Sequence, residues 1–200
     1  MPKALMLDVD GVLVTGRPDD GRPWTSQIQQ DLGIDPDQLA RLFFAKYWPE
    51  IVVGQRDLRA TLEKCLPGIV RDVSVDRFLS YWFEMDSRVD GAVLAQVASL
   101  RARAVPVFLA TNQEHLRARF LMQEIGLSAH VDGIVYSAME AATKPHRAFF
   151  RACEKRCGLP PGDLVLVDDA MANVTGALKA GWTAVHWTGS EVLADIVTAS

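Results

Sequence analysis

The chain has 200 residues, of which 49% are hydrophobic and 23% are charged. This composition is typical of a globular protein and too apolar for an intrinsically disordered one. Lys and Arg number 21 and Asp and Glu 25, so the formal net charge of −4 offers no positive field to a nucleic-acid backbone or an anionic membrane surface. We therefore expect neither nucleic acid nor membrane as a partner.

The N-terminus and the cysteines indicate where the protein resides. The apolar stretch Ala4–Leu7 ends at Asp8 and is far shorter than the core of a signal peptide or a membrane span. The three cysteines, Cys65, Cys153 and Cys157, cannot all pair with one another, and the sequence contains no CxxC pair. We predict reduced, buried cysteines and a cytoplasmic location.

The first predicted element is a strand over residues 1–9. It is apolar on both faces, which is typical of a central strand in a parallel sheet.

Residues 15–88 show helical rather than strand-like spacing. Asp35 followed by Pro36 predicts a helix N-cap with proline in the first turn, a second helix is predicted to end at Pro67, and Ser74 is expected to cap a third. A helical insertion directly after the first strand predicts a separate lobe over the carboxyl end of the sheet. We therefore predict a core domain of residues 1–14 and 89–200 and a helical cap domain of residues 15–88.

The rest of the chain alternates between helices and strands. Gly126, Gly158 and Gly181 each follow a helical pattern where a left-handed residue is expected. The alternation predicts right-handed crossovers and an α/β fold in which helices cover both faces of a parallel sheet. The predicted helices span residues 91–103, 114–125, 147–157 and 170–180, and the predicted strands span residues 105–110, 133–136, 164–167 and 183–187.

Polar residues follow four of the predicted strands, all at the same end of the sheet. In open parallel sheets, ligands bind outside these carboxyl ends. The carboxylates of this set would repel one another unless some are protonated or a cation is bound, and Mg²⁺ suits oxygen ligands and pairs with phosphate oxygens. In chain order the set is Asp8, Asp10, Thr111, Asn112, Lys144, Asp168 and Asp169.

Structural explanations remain open for part of this set. Asp168 and Asp169 precede a predicted helix, and one of them could serve as its cap. Residues 111–114 have the pattern of a capping box with Thr111 as the N-cap, although capped helix N-termini also bind anions. Lys144 precedes a helix N-terminus, where a positive charge is unfavourable unless a phosphate or an aspartate lies beside it. Such a partner would indicate a functional lysine, and the structural alternative is a lysine exposed to solvent.

These residues resemble the four motifs of the haloacid dehalogenase superfamily. Residues 8–13 (DVDGVL) resemble the first motif, Thr111 and Asn112 the second, and Lys144 with Pro145 the third. Residues 167–169 (VDD) with Asn173 resemble the fourth, and the order and spacing agree over essentially the whole chain. The resemblance implies a Rossmann-like, doubly wound core with an inserted α-helical cap, dependence on Mg²⁺ and an aspartyl-phosphate intermediate.

The resemblance also implies a role for each motif residue. Asp8 would be the nucleophile and a metal ligand, and Asp10 would act as general acid and then base while its backbone carbonyl binds the metal. Lys144 would be catalytic, stabilising the nucleophile and the phosphoryl oxygens. Substrate phosphate would be bound by Thr111, Asn112 and Lys144, and Mg²⁺ by Asp8, Asp10 and Asp169, with Asp168 assisting.

One position departs from the commonest pattern of the family, because Asn173 stands where many relatives carry an acid. An amide there could orient a ligand carboxylate or a metal-bound water, or the residue could lie on an ordinary helix surface.

Other functions of the same fold stay open. A 2-haloacid dehalogenase also uses an aspartate nucleophile but needs neither Mg²⁺ nor the second acid of the first motif, so Asp10 favours phosphoryl transfer. A phosphomutase keeps both aspartates. A phosphate- or metal-binding module without turnover is a further alternative, disfavoured by the complete set of charged motif residues.

The substrate class follows from the predicted cap. Most of the aromatic residues between Trp24 and Phe83 are expected to form the interior of the cap, with one or two lining a pocket. A lobe over the site leaves little room for a protein substrate, so a small phosphorylated metabolite is the expected substrate. The oligomeric state cannot be predicted from this sequence.

Overall fold

The computed structural model describes residues 4–199 and contains one parallel sheet. The strands are β1 (Ala4–Leu7), β2 (Val107–Thr111), β3 (Gly133–Tyr136), β4 (Leu164–Asp168) and β5 (Thr183–His186). Their order in the sheet is β3-β2-β1-β4-β5, with the N-terminal strand in the centre as its apolar sequence predicts.

Helices cover both faces of this sheet, so the predicted doubly wound α/β fold is confirmed. The helices of this part of the chain are α6 (Gly91–Ala102), α7 (His115–Gln123), α8 (Ser137–Glu140), α9 (Arg147–Cys157), α10 (Met171–Ala180) and α11 (Leu193–Ala199). One hydrophobic cluster includes Val97 and Leu121 and packs α6, α7 and α11 against one face, while a second includes Phe150 and Ala177 and packs α9 and α10 against the other.

The segment between β1 and α6 is helical, as its spacing predicts. Its N-caps at Asp35 and Ser74 are confirmed, because the Asp35 side chain accepts hydrogen bonds from Asp37 N and Gln38 N and that of Ser74 from Arg77 N. The helices are α1 (Ile28–Leu32), α2 (Pro36–Leu39), α3 (Ala45–Ile51), α4 (Leu58–Cys65) and α5 (Val75–Met85), and a π turn (Ala40–Phe44) joins α2 to α3.

This helical insertion has a hydrophobic cluster of its own. Phe43, Leu62 and Phe78 are fully buried there, and Trp82 stacks on Trp24 with ring centroids 5.2 Å apart. The aromatic residues therefore form mostly interior contacts. The division into a core of residues 1–14 and 89–200 and a cap of residues 15–88 stays a prediction.

Several predicted boundaries within the described residues are wrong by one or two residues. The first strand is predicted over residues 1–9, but it ends at Leu7; residues 1–3 lie outside the described part of the chain. The second begins at Val107 rather than at residue 105, because residues 105 and 106 form the loop that enters the sheet. Gly126, Gly158 and Gly181 have positive φ, as predicted.

The two linkers to the helical insertion pair with each other as a short ribbon. Val14 and Val89 form an antiparallel bridge, Thr15 N donates to Arg88 O at 2.9 Å, and Arg88 N donates to Gly16 O at 3.0 Å. Because each linker is held by the other, the insertion connects to the sheet through one ordered double strand.

Two further predictions concern the cysteines and membrane-spanning segments. The cysteines are all free, but only Cys153 is buried, while Cys65 and Cys157 are half-buried; the prediction of three buried cysteines is therefore wrong for two of them. Among residues 4–199, no helix has the length and apolar character needed to cross a membrane.

Candidate active site

The sheet topology brings three of the predicted site residues together around one ammonium group. Asp8 follows β1, Asp168 ends β4, and Lys144 lies in the loop between α8 and α9. Lys144 Nζ is 2.9 Å from Asp8 Oδ1 and 2.6 Å from Asp168 Oδ2, and all three residues are buried. The lysine that would be unfavourable beside a helix N-terminus is therefore paired with two aspartates.

Asp168 is completely enclosed by hydrogen-bond donors. Its Oδ1 accepts from Ala170 N at 2.9 Å, its Oδ2 accepts from Lys144, and Asn173 Nδ2 lies 3.0 and 3.2 Å from the two oxygens. Asn173 is buried and orients this carboxylate, so an ordinary surface position is excluded. Capping by Asp168 or Asp169 is also wrong, because the N-cap of α10 is Ala170, without a side-chain cap.

Asp169 presents the most open carboxylate of the group. It is exposed, and its side chain lies against Gly11, where an added Cβ would come within 2.1 Å of Asp169 Oδ2. Gly11 also has φ +80°, a conformation that favours glycine. Gly11 of the first motif therefore leaves the space that the carboxylate of Asp169, in the fourth motif, occupies.

The donor set fits a divalent cation. Ligand oxygens of Asp8, Asp168 and Asp169 all lie within 4.8 Å of one another. When all three carboxylates are ionised, they carry three negative charges against the one positive charge of Lys144, which contacts Asp8 and Asp168. Mg²⁺ would neutralise the remaining charge and offers a site for the oxygen ligands that it prefers.

The pKa values of Asp8 and Lys144 reflect the close approach of these charged groups. Burial raises the pKa of Asp8 to about 7, with Lys144 opposing the change and Asp168 adding to it. Burial acts to lower the pKa of Lys144, but the adjacent carboxylates of Asp8 and Asp168 outweigh it, so the pKa is raised and the ammonium stays charged.

Asp10 lies in a different environment from Asp8. It is accessible to solvent, and its Oδ2 accepts a hydrogen bond from Gln113 Nε2. Desolvation by the surrounding protein and repulsion by Asp86 raise the pKa of Asp10 to about 6, against the lowering effect of Arg117. A carboxyl group with this pKa can both give and take a proton near neutral pH.

The second-motif residues have separate positions. Thr111 is buried at the end of β2. The Asn112 amide pairs with the main chain of Lys144, because Nδ2 donates to the Lys144 carbonyl at 3.0 Å and Oδ1 accepts from the Lys144 amide at 2.8 Å. These bonds hold the loop that presents the lysine, and the role of Asn112 in binding substrate stays a prediction.

The capping-box prediction for residues 111–114 is wrong. Helix α7 begins at His115, and its N-cap is Glu114, whose side chain accepts hydrogen bonds from Leu116 N and Arg117 N. Strand β2 extends through Thr111, so that residue belongs to the sheet and cannot start the helix.

Three residues near the site lie outside the sequence prediction. Gln113 binds Asp10, and His186 Nε2 lies 2.8 Å from Asp169 O. Arg117, almost completely buried, donates to the main-chain carbonyls of Phe83 and Asp86 in the helical insertion. The last strand is predicted over residues 183–187 but ends at His186, so the predicted strand exit lies beyond the histidine. Nothing in the local pattern marks Arg117.

Comparison with protein families agrees with this geometry. A model described as haloacid dehalogenase-like hydrolase matches residues 2–181. The chain belongs to this family of hydrolases, as the four motifs indicate.

Curated relatives include phosphatases. N-acylneuraminate-9-phosphatase of Rattus norvegicus is 30% identical over 96 residues, which cover 48% of this chain and 38% of the relative. The match thus spans little more than a third of the relative's length. Phosphoglycolate phosphatase of Rhodospirillum rubrum is 25% identical over 197 residues, covering 90% of this chain and 77% of the relative.

Solved structures share the fold. A haloacid dehalogenase family enzyme from Bacteroides thetaiotaomicron, in complex with magnesium and inorganic phosphate, superposes with a TM-score of 0.79 at 16% identity and covers 96% of both chains. The L-2-haloacid dehalogenase from Xanthobacter autotrophicus, with chloropropionic acid covalently bound, has a TM-score of 0.66 at 16% identity, over all of this chain and 84% of the other. At this identity the likeness concerns the fold alone.

Proposed function

We propose that this hydrolase is a Mg²⁺-dependent phosphatase that cleaves a small phosphorylated metabolite through a phosphoryl group carried on Asp8. The observation that carries the proposal is the pairing of Asp8 and Asp168 with Lys144 at 2.9 and 2.6 Å, next to the open carboxylate of Asp169. The phosphatase relatives and the magnesium and phosphate in the B. thetaiotaomicron enzyme support the same chemistry.

The metal site follows from the donor set. Asp8 and Asp169 would bind Mg²⁺ together with the backbone carbonyl of Asp10, and Asp168 would assist by holding Lys144. When bound, Mg²⁺ supplies positive charge that reduces repulsion between the nucleophile and an anionic phosphoryl group.

In the first step the Asp8 carboxylate attacks phosphorus and the bond to the ester oxygen breaks. The protonated Asp10 carboxyl gives its proton to the leaving oxygen, for which its raised pKa is suited. Lys144 stabilises charge on Asp8 and on the phosphoryl oxygens, and Thr111 and Asn112 would contribute to phosphate binding. The products of this step are an alcohol and an acyl phosphate on Asp8.

In the second step Asp10, now a carboxylate, takes a proton from water as the water oxygen attacks phosphorus. The bond between phosphorus and the Asp8 oxygen breaks, phosphate leaves, and both carboxyl groups return to their starting states. Gln113 holds Asp10 for both proton transfers through its hydrogen bond to Oδ2.

We also propose that residues 15–88 act as a cap that selects a small substrate and excludes water. The ribbon formed by Val14 and Val89 would be its connection to the core of residues 1–14 and 89–200. A cytoplasmic location is part of the proposal, supported by the free thiols of Cys65, Cys153 and Cys157.

A panel of phosphorylated metabolites and an aryl phosphate, assayed with and without Mg²⁺, tests this function. We expect phosphate release that chelation abolishes and added Mg²⁺ restores. Activity unchanged after exhaustive chelation would remove the metal from the proposal, and turnover of chloroacetate without metal would favour a dehalogenase. An isomeric phosphate ester as the product would indicate a phosphomutase, and binding of phosphate without any turnover would indicate a non-catalytic module.

A further inference from the structure

His186 lies beside the candidate metal site at the end of β5. The residue pairs in register with Asp168 on β4, and the next amide, Trp187 N, donates to Asp168 O at 2.9 Å. Sheet pairing therefore fixes the backbone of the histidine relative to the fourth motif. Its half-buried imidazole places Nε2 2.8 Å from the main-chain oxygen of Asp169.

The residues on either side of Asp169 are held by hydrogen bonds, whereas the Asp169 side chain has few restraints of its own. Helix α10 begins after Ala170 without a side-chain cap, and the loop amide of Ala170 donates to Asp168 Oδ1 at 2.9 Å. Among residues 4–199, no side chain of another residue donates a hydrogen bond to the Asp169 carboxylate. The direction of that carboxylate is therefore set by its own backbone and by its close approach to Gly11.

We propose that His186 is a positioning residue for the metal-binding carboxylate of Asp169. Its hydrogen bond to the Asp169 carbonyl holds the peptide in the orientation that directs the side chain past Gly11 toward Asp8 and Asp168. Because a carbonyl oxygen only accepts, Nε2 carries the hydrogen in both the neutral and the charged imidazole. The inference rests on the proposed metal site and adds a residue of β5 to it.

Substitutions of His186 separate this role from simple packing. His186→Ala removes the donor, His186→Gln places an amide nitrogen near the position of Nε2, and His186→Asn places one near Nδ1, too short to reach the carbonyl. His130→Ala is the matched control, because His130 is exposed and precedes β3, whereas the motif residues lie at the opposite edge of the sheet, where the strands end. Thermal unfolding of each variant without metal establishes that it folds.

Mg²⁺ affinity, measured by isothermal titration calorimetry without substrate, is the readout. Residues that orient metal ligands typically contribute about 10- to 100-fold to affinity, so we expect a loss of this size for His186→Ala and His186→Asn. We expect His186→Gln to recover most of it and His130→Ala to match the wild type. The kcat at saturating Mg²⁺ should change much less than the affinity, because the histidine does not contact the reacting atoms.

The outcomes distinguish this inference from the proposed function. If the wild type binds Mg²⁺ and His186→Ala binds it equally well, the positioning role is wrong while the metal site stands. If His186→Gln is as weak as His186→Ala, the imidazole acts by packing rather than by its hydrogen bond, which also overturns the inference. A wild type that binds no Mg²⁺ overturns the metal site and the role of His186 together.

Discussion

Ser137 Oγ lies 2.6 Å from the carbonyl oxygen of Val52 and joins helix α8 to the helical insertion. The same hydroxyl lies 3.1 Å from Gln113 O, and the side chain of Gln113 binds Asp10. Packing is tight at this edge, since a Cβ added to Gly54 would lie 2.5 Å from Ala138 O. One serine therefore links the edge of the proposed cap to the residue that holds the proposed general acid.

Removing this hydroxyl should loosen one edge of the insertion. A hydrogen bond contributes about 1 kcal/mol, so Ser137→Ala should increase local opening about five-fold. Hydrogen exchange followed by mass spectrometry should show faster exchange around Val52, while α5 stays protected through its contacts with Arg117. Ser128→Ala, at an exposed serine, is the control. Unchanged exchange around Val52 would mean that other contacts hold this edge.

Asn112→Ala tests whether the asparagine positions Lys144 or binds substrate. Loss of both hydrogen bonds to the main chain of Lys144 should displace the ammonium, and a displacement of about 1 Å can lower kcat on the order of 10²-fold. Binding to substrate in the ground state would instead raise KM and leave kcat unchanged. Steady-state kinetics with an aryl phosphate separate the two, and a pure KM effect would contradict the positioning role.

Gly11→Ala should disrupt the metal site more than the fold. The new Cβ would overlap the Asp169 carboxylate at 2.1 Å and would also strain the backbone at φ +80°. Gly126→Ala is a matched control, with φ +85° but no heavy atom within 4 Å of the added Cβ. Both variants should lose about 1–3 kcal/mol of unfolding free energy through backbone strain.

Only Gly11→Ala should also lose Mg²⁺ affinity and activity. Chemical denaturation gives the free energy of unfolding, and calorimetry gives the affinity for the metal. Equal Mg²⁺ affinity in the two variants would show that Asp169 can move away from Gly11 without leaving the site.

Arg117→Met should destabilise the protein strongly. The guanidinium donates to Phe83 O and Asp86 O and lies 3.5 Å from the Asp86 carboxylate. It also lies 5.6 Å from the ring centroid of Phe83 and 5.5 Å from that of Phe120. Breaking a buried ion pair by removing one partner typically costs about 3–5 kcal/mol. Arg119→Met on the exposed side of the same helix should change stability by less than about 0.5 kcal/mol. Urea unfolding measures the stability of both variants. Similar unfolding midpoints would contradict a role of Arg117 in holding the helical insertion.

Local sequence patterns predict the central features of this fold. The apolar run of β1 predicts a central strand because both faces of that strand are covered by helices. The N-caps at Asp35 and Ser74 follow from interactions within one turn of helix. The position of the site follows from the rule that parallel strands end at the same edge, which brings Asp8, Asp168 and Lys144 together.

Long-range contacts account for most of what these patterns miss. Arg117 is paired with carbonyls more than 30 residues away, and no periodicity reports such a contact. Thr111 is part of a strand although residues 111–114 fit a capping box, because pairing with β3 at Tyr136 outweighs the local helix signal. The pairing of the Asn112 side chain with the main chain of Lys144 is also long-range and has no local signal, and the role of Asn112 in binding substrate stays a prediction.

Asp8 and Asp10, the two aspartates of the first motif, should contribute to different steps of the reaction. Asp8→Asn should remove both turnover and covalent labelling, because an amide is a poor nucleophile and a weaker metal ligand. Asp10→Asn should keep the metal site and lose proton transfer, lowering the rate about 10²- to 10⁴-fold. With an activated leaving group, which needs little protonation, the first step should survive better than the second, so phosphate should accumulate on Asp8.

Mass spectrometry of acid-quenched Asp10→Asn detects the phosphorylated Asp8, with Asp19→Asn, at an exposed surface residue, as the control. Full turnover by Asp8→Asn, or phosphate on any other residue, would overturn the proposed mechanism and leave the hydrolase without an assigned nucleophile.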